Sequence, residues 1–125
     1  MSLGIDAEPA ERLPSEVVSA VLSPSERAAL ADLPVDGAYP WDRIIFSVKE
    51  SLFKAWFPLR GTWLGFEDAE IGLDANGTFT ARLLPPDIGN LPRQLPGGWA
   101  VHDGIIATGL AIPPAPPEVK PRVVV

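Results

Sequence analysis

Residues 41–59, WDRIIFSVKESLFKAWFPL, carry the pattern that most constrains the fold. Ile45, Val48, Leu52 and Trp56 recur at spacings of three and four, which lines them along one stripe of an α-helix. Ile44, Phe46, Phe53 and Phe57 widen the stripe until little of the circumference is left for water. The spacing predicts a helix from Trp41 to about Phe57, buried on more than one side and terminated by Pro58. A helix of this kind is stable only against a surface that the rest of the chain must supply.

The rest reads mostly as short strands. Residues 2–7, SLGIDA, are apolar with an acidic end, and Pro9 stops them. Residues 69–74 and 78–84 flank Asp74-Ala75-Asn76-Gly77, a hairpin turn closing on Asn-Gly. Residues 98–103 and 105–112 read as a second hairpin around Asp103-Gly104, and the Pro-rich stretch 85–97 between the hairpins as a loop. Before the long helix, Pro14 and Ser15 open a helical pattern through Val17, Val18, Val21 and Leu22. Ser23-Pro24-Ser25-Glu26 then reads as a capping box with proline at the first helical position. That second helix ends near Leu33-Pro34, and residues 34–40 are a loop. No internal repeat is visible. The expected class is α+β: a long central helix packed on a small antiparallel sheet, with strand 2–7 at the sheet edge. Residues 1–112 form the domain, and 113–125, with five prolines, form an extended tail.

Composition narrows the partners. A net charge of −6 argues against nucleic acid, which needs a basic face. The apolar runs are too short to span a bilayer, so no membrane partner is expected. Cysteine is absent, which removes disulfides and thiolate metal sites, and the first residues lack the pattern of a signal peptide. A cytoplasmic location is the expectation.

Charges inside the long helix carry the chemistry. Lys49, Glu50 and Lys54 have mostly apolar neighbours, and a charge on a largely buried helix needs a partner. Glu50 and Lys54, at i and i+4, also have the spacing of an ordinary helix-face salt bridge. Asp6 and Glu8 alternate on the first strand and share one face of it. Carboxylates from two elements, with lysines beside them, suit Mg²⁺ held against a pyrophosphate, because this ion takes only one or two protein carboxylates and completes its shell with water and phosphate. Asp6, Glu8 and Glu50 suffice as ligands if the strand end packs beside the helix. His102 lies by a turn with no serine or carboxylate pattern around it and reads as a surface histidine rather than part of a triad. Trp41, Trp56 and Trp99 read as core, while Trp63 falls in the loop after the helix, where a pocket can form.

The segments GIDAEP at 4–9, WDRIIFSVKESLFKAWFPL at 41–59 and WLGFEDAEI at 63–71 together resemble the 4′-phosphopantetheinyl transferases of the surfactin-synthetase-activating type, actinobacterial members most closely. GGWAVHDGIIATGLAI is similar to that family's C-terminal hairpin, so the resemblance covers roughly residues 2–112. It implies transfer of the phosphopantetheine arm of coenzyme A to a serine of an acyl or peptidyl carrier protein. It also implies Asp6, Glu8 and Glu50 as Mg²⁺ ligands and Glu50 as the base for the serine hydroxyl. Lys49 and Lys54 would neutralise coenzyme A phosphates, and Phe46, Phe53 and Trp63 would line the pantetheine channel. Such enzymes are two similar halves in one chain, and this chain resembles the C-terminal half only. Three expectations follow. The missing N-terminal half completes the site, or the chain self-associates as the single-half holo-acyl-carrier-protein synthases do, or it is a non-catalytic half-domain that keeps the fold.

Overall fold

The computed structural model describes residues 1–35 and 39–114. Five strands form one antiparallel sheet: β1 (Ser2–Pro9), β2 (Ala69–Leu73), β3 (Thr78–Leu83), β4 (Gln94–His102) and β5 (Ile105–Ile112), in the order β1-β5-β4-β3-β2. Three helices accompany it: α1 (Ser15–Val21), α2 (Pro24–Ala29) and α3 (Trp41–Arg60). The α+β class and the edge position of the first strand are as expected. No helix among the described residues is long and apolar enough to cross a membrane.

α3 lies across β1 and β5 and buries Ile44, Ile45, Val48, Leu52, Ala55 and Trp56. The sheet meets it with Phe79, Ala81, Leu83, Leu95, Ile106, Leu110 and Ile112, the inward members of alternating strands. The approach of α3 to β1 is close enough to demand glycine. A Cβ built on Gly4 lies 1.8 Å from the Ser51 carbonyl oxygen. Any side chain there pushes β1 away from the helix, and with it Asp6, two residues along on the same face.

The capping box forms: the Glu26 backbone N–H donates to Ser23 Oγ at 3.2 Å, and the Ser23 N–H to Glu26 Oε1 at 2.8 Å. A 3₁₀ turn over Leu30–Asp32 then carries the chain to Leu33. Both hairpin turns are present, with Gly77 at φ 96° and Asp103 and Gly104 at φ 50° and 74°.

Two expected boundaries need correction. α3 runs through Pro58 to Arg60: the proline loses its N–H bond and crowds the carbonyl four residues back, but it sits so near the C-terminal end that little helix remains to be disrupted. Gly61, left-handed at φ 64°, ends the helix by donating its N–H to the Phe57 carbonyl at 2.8 Å. β4 begins at Gln94, inside the stretch expected to be loop. Pro96 is tolerated there because it pairs with Thr80 of β3 alone; pairing with β5 starts at Gly97. Most of the tail, residues 115–125, and residues 36–38 of the expected loop lie outside the described residues.

Candidate functional site

β1 and α3 bring the acidic residues to one side of the molecule. Asp6 is buried on the face of β1 turned toward α3. Its Oδ1 accepts from Lys54 Nζ at 2.9 Å, and its Oδ2 from Ser47 Oγ at 2.9 Å. Lys54 also donates to the Ile5 carbonyl at 3.1 Å and keeps half its side chain in solvent. The i, i+4 salt bridge that spacing alone allowed is therefore not formed: Lys54 reaches across to β1, and Glu50 has no ion-pair partner among the described residues. Glu8, on the same face of β1, lies 3.5 Å from Arg43 Nη1. Arg43 is anchored by the Glu11 and Arg12 carbonyls at 3.0 and 3.4 Å.

Burial and a neighbouring charge act together on these carboxylates. Burial, and then the Asp6 charge, raise the Glu8 pKa against the pull of Arg43. Burial, and then Asp6, likewise raise Glu50 against the pull of Lys54. The hydrogen bond to Asp6 raises Lys54 and keeps it an ammonium. Among the described residues, no group of three or more His, Cys, Asp or Glu side chains is already gathered closely enough to cage a metal. The donor set nonetheless fits Mg²⁺. It is all oxygen and acidic, with Asp6 close enough to Glu8 and Glu50 for its charge to act on both, and Mg²⁺ needs only one or two protein carboxylates.

Beside Glu50 opens a cleft of about 200 Å³ lined by Glu50, Leu52, Phe53, Trp63, Leu64 and Phe66 among others. Phe53 and Trp63 pack as a tilted pair at 4.6 Å between centroids, and Trp63 is 76% exposed, unlike the core tryptophans. Phe46 does not line this cleft. It packs against one of the lining residues, its ring 5.8 Å from that of Phe66.

Lys49 differs most from expectation. Its Nζ is buried and donates to the Val21 carbonyl at 2.7 Å, to Glu26 Oε1 at 2.8 Å and to the Phe66 carbonyl at 2.8 Å. An ammonium has three hydrogens, so none is left for a phosphate. Glu26, also buried, uses Oε2 to accept from the Ile71 N–H at 2.8 Å. The pair ties α1, α2, α3 and β2 to the cleft wall. His102 is exposed and meets only its neighbour Asp103, at 3.2 Å, as a surface histidine does.

The sequence did not single out Arg43, Ser47, Ser51 or Thr108, and it marked Glu26 only as a capping residue. Ser47 and Ser51 left a signal, two hydroxyls at i and i+4 in an otherwise apolar stripe. Thr108 left none, because it is one small residue among alanines and glycines.

The sequence model of the 4′-phosphopantetheinyl transferase superfamily matches residues 2–106. The chain is 48% identical over 116 residues to the 4′-phosphopantetheinyl transferase Svp of Streptomyces mobaraensis, covering 89% of this chain and 47% of Svp. It is 41% identical over 121 residues to the 4′-phosphopantetheinyl transferase PptT of Mycobacterium tuberculosis, covering 89% of this chain and 52% of PptT. It thus spans about half the length of these relatives. Two solved structures share the fold. The holo-[acyl-carrier-protein] synthase of Helicobacter pylori in complex with coenzyme A has a TM-score of 0.67 and 21% identity, covering 89% of this chain and 99% of that one. That of Thermotoga maritima also has a TM-score of 0.67, with 24% identity and coverage of 89% and 62%.

Proposed function

Because the chain belongs to the 4′-phosphopantetheinyl transferase superfamily, we propose that its charged edge and adjoining cleft serve to transfer 4′-phosphopantetheine from coenzyme A to a carrier-protein serine. The observation that carries this reading is a convergence. Asp6 and Glu8 from β1 meet Glu50 and Lys54 from α3, and an apolar aromatic cleft opens beside Glu50. The coenzyme A complex of the Helicobacter pylori protein of the same fold supports the choice of co-substrate.

In this reading Asp6, Glu8 and Glu50 hold Mg²⁺. The ion, when bound, supplies positive charge to the diphosphate of coenzyme A. Lys54 is the residue that can turn to a phosphate oxygen, since half of it is already in water and its tie is to the charged cluster. Lys49 is not, with every donor in use. Phe53 and Trp63 flank the pantetheine arm, and Phe46 packs against the lining residue Phe66. Glu50 is the base. It is half-buried, and among the described residues no lysine or arginine is paired with it, which leaves carboxylate oxygen free to accept the serine proton. The carrier serine oxygen forms a bond to the phosphorus that carries pantetheine. The bond from that phosphorus to the bridging oxygen breaks, adenosine 3′,5′-bisphosphate departs, and the serine proton passes to Glu50. On this reading the protein works in the cytoplasm, where coenzyme A and apo carrier proteins would meet it.

A second reading rests on the matched share: the chain spans about half the length of these relatives. In it the described residues keep the fold and the carboxylates without forming a complete coenzyme A site, so that the chain by itself is non-catalytic. Intact mass decides between these. An apo carrier protein is incubated with the chain, coenzyme A and Mg²⁺ and then weighed. A gain of one phosphopantetheine, abolished by Asp6→Ala, shows an active half. No gain favours the second reading, and activity retained in Asp6→Ala removes the ligand assignment.

A further inference from the structure

Behind the ion pairs of the charged edge, a file of hydroxyls runs through the otherwise apolar contact between α3 and the sheet. Ser47 and Ser51, one helical turn apart, are fully buried, and Thr108 of β5 is buried against both. Thr108 stands directly opposite Asp6 in the pairing of β1 with β5. Ser51 Oγ lies 2.7 Å from Thr108 Oγ1, Thr108 Oγ1 lies 2.8 Å from Ser47 Oγ, and Ser47 Oγ lies 2.9 Å from Asp6 Oδ2.

Direction follows from chemistry. A carboxylate only accepts, so Ser47 donates to Asp6. With that proton committed, Ser47 can only accept from Thr108, and Thr108 in turn accepts from Ser51. The carbonyls of Ser47 and Thr108, at 3.1 and 3.3 Å, are longer alternatives for the last two protons. Hydrogen bonds in such a file polarise one another toward the charge at its end. Alanine or valine would fill these places without burying any hydroxyl, and a buried hydroxyl costs free energy unless it is bonded. The file ends on one group, and that group is Asp6.

We propose that Ser47, backed by Thr108 and Ser51, is a positioning residue. It holds the Asp6 carboxylate so that Oδ2 is turned into the core and Oδ1 is presented to Lys54 and the neighbouring Glu8 and Glu50. Its consequence for cation binding rests on the reading of Asp6 as a ligand given above. Its consequence for the apo protein does not.

Two measurements test it. Mn²⁺ alone, standing in for Mg²⁺, is titrated into the full chain, and free ion is read by electron paramagnetic resonance. Ser47→Ala keeps a good helix former at the position and should weaken Mn²⁺ binding about 10- to 100-fold, the usual effect of removing the group that orients a ligand. Thr108→Val should weaken it less, and Thr108→Ser, which restores the hydroxyl, should return it to the wild-type value. Wild-type affinity in Ser47→Ala overturns the proposal. The second measurement is a double-mutant cycle in thermal unfolding of the apo chain, pairing Ser47→Ala with Asp6→Ala. If Ser47 acts through Asp6, its Tm shift disappears in the Asp6→Ala background; additive shifts overturn the proposal. A wild-type chain that takes up no Mn²⁺ removes Asp6 as a ligand, and the cycle alone then decides the positioning.

Discussion

Glu50 and Glu8 hold their protons more tightly in the folded chain than the ordinary value of 4.5 allows, chiefly through burial. Between that value and their folded pKa the native state binds more protons than the unfolded one. The stability they contribute is complete below the unfolded pKa and is lost as pH rises through the folded one. At pH 7 both therefore weaken the fold. Glu50→Gln should leave Tm at pH 7 unchanged or raised and flatten its dependence on pH above 4.5, while transfer falls by about 10²–10⁴-fold. A clear loss of Tm at pH 7 would contradict this. Lys49 makes the opposite case, a charge that serves the fold. Lys49→Met strands the buried Glu26 carboxylate and should cost about 3–5 kcal/mol in denaturant unfolding. Removing both charges, Lys49→Met with Glu26→Leu, should recover only part of that loss, because the desolvation penalty disappears with the pair while the Ser23 and Ile71 N–H groups lose their acceptor. A double variant less stable than the single would mean that those hydrogen bonds outweigh the burial of the charge.

At the scale of elements, the site is a contact between β1 and α3, and Gly4 sets its distance. Gly4→Ala drives a methyl into the Ser51 carbonyl and should cost about 1–3 kcal/mol by overpacking, measured as a shift in urea midpoint. Asp6 should move with the strand, so Mn²⁺ affinity should fall in the same variant. An unchanged midpoint would mean that β1 is free to slide on α3. The two elements divide the work: β1 supplies acids in alternation, and α3 supplies Glu50 and Lys54 four residues apart. The short helices between them supply the Glu26 anchor through the capping box, so a cap recognisable from local sequence also tethers the cleft wall.

At the scale of the whole molecule, α3 covers one face of the sheet, and part of the other face is apolar and open. Leu3, Ile5 and Ile105 are 63%, 67% and 50% exposed, with Ala7, Ala100 and Ala107 also exposed on the same strands. A contiguous apolar surface on β1, β5 and β4 is characteristic of a buried interface. On the proposed function its occupant is a second copy or the half that the longer relatives possess. Light scattering should show self-association of the isolated chain, and Ile5→Lys, whose side chain points away from the core, should weaken that association with little change in Tm. A wild-type chain monomeric at every concentration would assign the face to a separate partner.

Local chemistry made much of this molecule readable. The stripe of α3, the Ser23–Glu26 cap and the two turns each lie within a few residues of their cause, and sequence by itself determined them. The alternation of Asp6 and Glu8, with Glu50 and Lys54 on a buried helix, likewise made the acidic site legible as a set of residues. Tertiary structure alone decided what those residues touch. Lys54 could pair with Glu50 along the helix or with Asp6 across the sheet, and only the approach of β1 selects Asp6. Lys49 does border the cleft, but three acceptors from distant segments take its protons. Ser47 and Thr108 are 61 residues apart, and no spacing rule joins them. Pro96 looked like loop because a proline cannot serve a ladder on both sides, and only the register shows that β4 needs it on one. A residue's propensity is a property of its own neighbourhood in sequence, whereas a hydrogen-bond partner is fixed by where the folded backbone brings remote groups together.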